Sequence, residues 1–506
     1  MGPPDDMLEG VEELIGSRPV DWKRATGGYS AAERWTLELE NGLRVFAKLA
    51  PTDDLAWRLR DEQRNMVAID ADFRCDVLGW RDGDRPMLVL EDLSGAHWPP
   101  PWEPGEIERV LHTLERVWST PPPDHLQDTA RFIEMFSGWE RVAEDRGPFL
   151  TLGMASADWL DACLPALIDA ERAANLAGTE LLHLDVRSDN LCIDGDRVVL
   201  VDWNWASRGP RDLDLACWLP ALRLEGGPLP EEIGLGLGAY AAGISGFFAA
   251  NAALPAPVSA PTVRRFQARQ LRMSLPWACR ELGLPPPDAT YARDEIAGLD
   301  EALDAGHITE QQWHVGIEEA LIDAYLASGD PRGQSGKFGD DETDWRWARE
   351  LILDVFPRRA TFLDVGCANG YLMESVERWG RERDIEVEPY GVDISWRIAA
   401  LARHRLPHWR DRIFVGNAID WDPPRRFDIV QIGIDEVPPR RRRELVERVR
   451  RDFLATNGKL VFRAGRARDW NIVEILRAVG IEPDGIIEAV HPRSRELRVT
   501  GYLNAR

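Results

Sequence analysis

His183, Asp185 and Asn190 stand in the segment HLDVRSDN, and Asp202 closes the apolar run VVLVD twelve residues later. The set H-x-D-x-x-x-x-N followed by an aspartate at a strand end suits phosphoryl transfer. That reaction asks the protein for little covalent chemistry. It needs a carboxylate to orient the attacking hydroxyl and hard oxygen ligands to hold Mg²⁺ on nucleotide phosphates. Asp185 is the expected base, and Asn190 and Asp202 are the expected metal ligands. Asp194-Gly195 lies between them and signals a hairpin, which can bring together an aspartate on a loop and one at a strand end. His183 reads as a hydrogen-bond donor that steadies the loop.

Upstream residues fit the same chemistry. Lys48 sits in the strand-like VFAKL and is placed to meet nucleotide phosphates. Glu62 follows 14 residues later on an expected helix and is placed to orient Lys48 as an ion pair. Gly27-Gly28 precedes the first strand pair and is a candidate phosphate cover. MLVLEDL (87–93) reads as a hinge strand whose backbone, from Glu91 to Leu93, would face an adenine.

A second constellation lies far along the chain. FLDVGCANGYL (362–372) reads as strand, glycine turn and helix, with Asp364, Gly366 and Gly370 in the order D-x-G-x-x-x-G. The glycines let backbone approach a ligand closely. The next strand, PYGVDIS, ends at Asp393, where a carboxylate can accept ribose hydroxyls. A third strand, RIFVGNAIDW, puts Asn417 and Ala418 near an adenine edge. Asp435 and Glu436 follow a fourth strand as candidate substrate contacts.

These residues need elements to hold them. Strands are expected at 34–40 and 43–49 around Asn41-Gly42, a strong hairpin signal. A helix is expected at 53–69, strands near 75–80 and 86–91, helices over 105–180, and a β hairpin over 191–202. Ile233 to Val263 carries no charged residue but is broken by prolines, so it reads as a buried helix (about 235–253) and a loop. LGLPPPDAT (282–290) reads as a domain end. Helices fill 291–330 as a linker, and the polar, Gly-rich 328–342 reads as a loop or lid. From 343 onward helices alternate with apolar strands at 361–365, 388–392, 412–415, 427–432 and 459–463, which predicts a doubly wound α/β sheet.

Composition narrows the function. The 506 residues carry 61 Lys and Arg against 86 Asp and Glu, a net charge of −25, which argues against partners such as nucleic acid or anionic membrane. Residues 1–290 hold 28 basic and 47 acidic side chains, and 291–506 hold 33 and 39, so the first part is the more acidic. Six scattered cysteines with no C-x-x-C pair give neither a disulfide framework nor a zinc cluster, which fits a reducing cytoplasm. The acidic start, MGPPDDMLEG, lacks a signal-peptide pattern.

On HLDVRSDN, VDWNWA and the DLA of 214–216, residues of about 10–285 resemble the aminoglycoside phosphotransferase and choline kinase family, which is similar to the protein-kinase fold. The chain departs from that family at Leu184, where glycine is usual, and in its short glycine loop ATGGYS. On LDVGCANG and the position of Asp393, residues of about 330–506 resemble the class I S-adenosylmethionine-dependent methyltransferases. The resemblances imply a kinase-like α+β domain (1–290) and a Rossmann-like methyltransferase domain (331–506). They imply ATP, Mg²⁺ and S-adenosylmethionine as cofactors, with nucleoside binding by Asp393 and sulfonium-end contacts near Gly366. The expected activity is transfer of the γ-phosphate and of a methyl group to small-molecule acceptors. A methyltransferase with a ligand-binding kinase-like half, and a scaffold with two degenerate sites, are the alternative organisations.

Overall fold

Strands β1 (Pro19–Arg24), β2 (Glu33–Leu39), β3 (Arg44–Leu49), β4 (Val77–Arg81) and β5 (Met87–Glu91) form an antiparallel sheet in the order β1-β2-β3-β5-β4. The Asn41-Gly42 turn joins β2 to β3, and Gly42 takes φ 82°, a left-handed conformation that glycine adopts without steric cost. Alternation along β2 turns Trp35, Leu37 and Leu39 inward, where they meet Val45, Ala47, Met87 and Val89. Helix Asp5–Ile15 covers that face with Met7 and Val11. Neither this helix nor β1 was expected from the residue pattern. Helix Asp53–Ala68 follows β3 and carries Glu62. The computed structural model describes residues 2–25, 32–257, 260–434, 437–463 and 472–505; Gly27-Gly28 and Asp435-Glu436 lie outside them.

Beyond the sheet the first unit is largely helical, with Glu106–Ser119, Ala157–Ala173, Asp212–Leu224, Gly238–Asn251 and Val263–Leu282 as its longer helices. Two small antiparallel pairs carry the central motif: β6 (Glu180–Leu182) with β9 (Ser207–Gly209), and β7 (Leu191–Asp194) with β8 (Arg197–Leu200). The uncharged stretch forms helix Gly238–Asn251, and among the described residues no helix is long and apolar enough to cross a membrane.

The chain divides into two compact units, residues 1–225 with 229–289 and residues 226–228 with 290–506. Helices Tyr291–Asp304 and Glu310–Ala327, read as a linker from the sequence, lie inside the second unit. Leu303, Trp313 and Ile317 form a small core between them. Thr309 caps the second helix by accepting from the Gln312 amide, while the Gln312 side chain accepts the Thr309 amide.

The sheet of this unit contains β10 (Arg359–Val365), β11 (Glu386–Asp393), β12 (Ile413–Val415), β13 (Phe427–Gly433), β14 (Leu454–Arg463), β15 (Gly485–Val490) and β16 (Leu497–Asn504). Its order is β12-β11-β10-β13-β14-β16-β15. The first five are parallel, while β16 runs antiparallel to both β14 and β15. Apolar residues bury both faces: Leu363, Val430 and Ile432 on one side, Phe362, Ile429 and Val461 on the other. Strand order reverses between β10 and β13. In such sheets, the crevice at the carboxyl ends beside that reversal is where ligands bind.

Candidate active sites

In the first unit, β6 leads into the loop 183–190, and a single helical turn, Ser188–Asn190, leads out into β7. Asn190 donates from Nδ2 to the Asp185 carboxylate at 2.8 Å and to the Asp185 carbonyl at 2.9 Å. With its nitrogen so committed, Asn190 has its amide oxygen left as the atom suited to a cation. Burial raises the Asp185 pKa, and Arg187, 3.4 Å away, opposes it.

His183 is fully buried, and burial lowers its pKa. Its Nε2 donates to the Val201 carbonyl at 2.9 Å, and its Nδ1 accepts from the Asp185 amide at 3.3 Å. The neutral ring therefore clips the Asp185 loop to the strand end that carries Asp202. Its edge rests on Trp203 at 4.7 Å.

Asp202 adopts φ 63°, ψ 54°, and its carboxylate accepts from Lys48 Nζ. Lys48 also reaches Glu62 Oε1 at 2.7 Å. Burial works against the Lys48 charge, but Asp202 and Glu62 outweigh it and the pKa rises. Burial pushes Glu62 up to about 7. Burial also opposes the Asp202 charge, but the ammonium beside it prevails and holds its carboxyl below the usual range. Lys48 is thus a buried cation shared by two carboxylates, one on helix Asp53–Ala68 and one at the β8 end. Asn65 on the same helix donates to the Trp203 carbonyl at 2.8 Å and ties the helix to the Asp202 turn.

The hinge residues are partly spent within the protein. The Glu91 carboxylate accepts from Arg197 at 2.6 Å and from the Asp76 amide at 3.1 Å, and the Glu91 amide donates to the Asp76 carbonyl. The Leu93 carbonyl accepts from the Trp98 indole and the Ala96 amide.

Asp214 was not among the sequence candidates, yet it holds the loop that carries Asp185. Its buried carboxylate accepts from the amides of His183 at 3.2 Å and Leu184 at 2.7 Å and from the Trp118 indole at 2.9 Å. It fixes the loop backbone just before Asp185, including Leu184 at φ 62°, a conformation that costs a residue with a Cβ about 1–2 kcal/mol. The DLA motif was its only trace in the sequence.

In the second unit, Gly366 and Cys367 at the β10 end both donate to the Val392 carbonyl, at 2.8 and 3.1 Å. Gly370 (φ 75°) opens helix Tyr371–Glu382. Asp393, at the β11 end, is 7 % exposed and accepts from the amides of Ala368 and Ser395 at 2.9 Å each. Burial raises its pKa. Asp393 therefore braces the glycine turn, with lone pairs remaining on each oxygen. β12 ends at Val415, so Asn417 and Ala418 lie in the turn after it, and the Asn417 side chain accepts the Ile419 amide.

The segment read as a loop or lid is pinned to this turn. Asn369 donates to the Pro331 carbonyl at 3.0 Å and to Gln334 Oε1 at 2.9 Å, and it accepts from Ser335 at 2.6 Å. Helix Glu310–Ala327 braces the β11 end. Its Glu318 accepts from Ser395 and Arg397, and Asp323 meets Arg397 at 2.6 Å.

Among the described residues no group of three or more His, Cys, Asp or Glu side chains gathers to hold a metal ion. Asn190 and Asp202 are hard oxygen donors, and the Lys48 charge keeps Asp202 ionised, which fits Mg²⁺ shared with nucleotide phosphates. A cavity of about 370 Å³ in the second unit, lined by Glu342, Arg346, Glu350 and Glu488 among others, contains none of the residues above.

Residues 21–245 match the phosphotransferase enzyme family. The matched region contains both Lys48 and the loop that carries Asp185. No curated protein matches the chain. Among solved structures, a spectinomycin phosphotransferase in complex with ADP and spectinomycin is 12 % identical, over 54 % of this chain and 86 % of that one, with a TM-score of 0.31. A Haemonchus contortus phosphoethanolamine N-methyltransferase, in complex with phosphoethanolamine and S-adenosylhomocysteine, is 15 % identical over 40 % of this chain and 51 % of that one, with a TM-score of 0.29. PigF with SAH is 13 % identical over 42 % and 70 %, at 0.30.

Proposed function

We propose that the chain is a bifunctional transferase: a phosphotransferase that moves the ATP γ-phosphate to a small-molecule hydroxyl, joined to an S-adenosylmethionine-dependent methyltransferase. The observation that carries the first activity is Asp185 held by Asn190 beside the Lys48–Glu62–Asp202 set. Lys48 would take the nucleotide phosphates, aimed by Glu62. The Leu93 amide would pair with the base. Asn190 and Asp202 would hold Mg²⁺, which supplies charge neutralisation on the phosphates. Asp185 would accept the proton of the attacking hydroxyl.

The second activity is supported by the glycine turn at the β10 end, the acid at the β11 end and the strand reversal beside them. Asp393 would accept the ribose hydroxyls, the backbone at Gly366 would lie near the sulfonium end, and Asn417 and Ala418 would border the adenine. Methyl transfer needs little acid–base help, since orienting nucleophile and sulfur in line supplies most of the effect. The test is incubation of the full chain with a metabolite panel, ATP–Mg²⁺ and S-adenosylmethionine, reading products by the mass of one phosphoryl or one methyl group. Calorimetry with each cofactor separates the bifunctional reading from a single activity: loss of either binding event removes that half of the proposal.

A further inference from the structure

Helix Asp212–Leu224 holds the start of the Asp185 loop through Asp214, in its first turn. Its other end offers a second carboxylate. Glu225 directly follows the helix, and its amide still donates to the Ala221 and Leu222 carbonyls. One of its carboxylate oxygens accepts from the Ser188 hydroxyl and the other from the Trp102 indole at 2.9 Å. Ser188 is buried and opens the helical turn that ends in Asn190, whose side chain holds Asp185. Trp102 stands in the Pro-rich segment 99–104, and its ring lies against Trp218 of the same helix, the ring centres 6.1 Å apart.

The local structure works against a charge on Glu225. The C-terminus of a helix is the negative end of its dipole and disfavours an anion. Burial also opposes ionisation and, with Asp189 adding to it, pushes the Glu225 pKa up to about 7; Ser188, Trp102 and Arg187 counter the rise. Asp189 and Arg187 act from the loop, while Trp102 does not titrate. The two donors are therefore what sustain the charge, and one of them belongs to the loop that carries Asp185. An ionised Glu225 accepts a charge-assisted bond from Ser188, roughly twice as strong as a neutral one. A protonated Glu225 must donate its own proton. The indole of Trp102 is a donor only, so the proton turns to Ser188 and a neutral bond results.

We propose that Glu225 is a positioning residue: together with Asp214 it lets one helix grip both ends of the Asp185 loop, and its charge sets how firmly the Ser188–Asn190 turn is held. The effect on catalysis rests on the phosphotransferase reading of Asp185. A looser turn lets Asn190 shift from Asp185 and leaves the base less well aimed, so phosphoryl transfer slows as Glu225 takes up a proton.

Phosphate release from ATP–Mg²⁺ by the full chain, with water in place of the acceptor, tests this on either side of the Glu225 pKa of about 7. On the alkaline side Glu225→Gln, which makes only neutral bonds, should turn over roughly fivefold more slowly than wild type, the difference between a charge-assisted and a neutral hydrogen bond. The ratio of the two rates should fall toward unity as the pH drops through about 7, because wild type then holds Ser188 by a neutral bond as well. Titration of Asp185 acts on both proteins and cancels in the ratio. Ser188→Ala should slow turnover similarly, and adding Glu225→Gln to it should cost little more, since both remove one interaction. Equal rates on the alkaline side, a ratio constant with pH, or fully additive losses overturn the role of Glu225. Failure of the phosphotransferase reading looks different: wild type then neither binds ATP–Mg²⁺ in calorimetry nor releases phosphate. In that case amide hydrogen exchange across 183–190, compared on the alkaline side, decides the grip alone: faster exchange in Glu225→Gln than in wild type upholds it, and equal exchange overturns it.

Discussion

Around residues 183–202 the charged and polar groups are held by one another: Lys48 by Glu62 and Asp202, Asp185 by Asn190, and the loop amides by Asp214. At the ends of β10 and β13 the pattern inverts. Asp364, Gln431 and Arg349 are as deeply buried, yet several of their polar atoms meet no partner. The first arrangement is preorganised: its polar groups are already oriented, so the phosphotransferase chemistry proposed for it would need little reorganisation. The second leaves several hydrogen bonds unmade within the protein. Similar burial thus has different meanings, set by whether the hydrogen bonds close within the protein.

That contrast can be broken by substitution, beginning where the effect should be greatest. Asp185→Ala should cut phosphoryl-transfer turnover by roughly 10²–10⁴-fold, the ordinary worth of a positioned base. Nucleotide affinity, measured by calorimetry, should barely change. Full activity in that variant would remove the assignment. The pH profile sharpens it. A base works ionised, and burial raises the Asp185 pKa, so kcat/KM should fall on the acid side at a pH above the ordinary Asp value of about 3.9.

Asp214→Ala should destabilise the first unit by at least about 3 kcal/mol in denaturant titration, since three donors lose their acceptor at about 1–3 kcal/mol each. A smaller loss would mean that the loop finds other acceptors. In the second unit, Asp393→Ala should weaken S-adenosylmethionine binding roughly 10- to 150-fold, as expected for a lost charge-assisted bond of about 1.5–3 kcal/mol. Unchanged affinity would leave Asp393 only its bracing of Ala368 and Ser395. Lys48→Ala should raise the nucleotide KM roughly tenfold, and an unchanged KM would place the phosphates elsewhere.

The smallest effect is the most discriminating. Gln431→Leu should leave unfolding free energy within about 1 kcal/mol of wild type or improve it, because an apolar isostere loses no hydrogen bond made within the protein. A loss as large as that of Asp214→Ala would mean that Gln431 is satisfied after all and would erase the contrast between the units.

The sequence by itself determined what short stretches can encode. Asn41-Gly42 set the β2–β3 turn, Asp194-Gly195 set the β7–β8 turn, and LDVGCANG set strand, glycine turn and helix, because local φ/ψ preference and apolar period act over a few residues. The short motifs HLDVRSDN, VVLVD, LDVGCANG and PYGVDIS supplied Asp185, Asn190, Asp202, Asp364 and Asp393 as candidates. Only the tertiary structure decided partners across long separations. Lys48 meets a carboxylate 154 residues away, Asp214 captures a loop 30 residues back, and Asn369 holds a segment 35 residues upstream that its polar composition marked only as a loop or lid. Arg349 and Gln431 had no motif at all. Gln431 meets Asp364 because sheet order, not chain order, places β13 beside β10, and no spacing along the chain encodes which strands become neighbours.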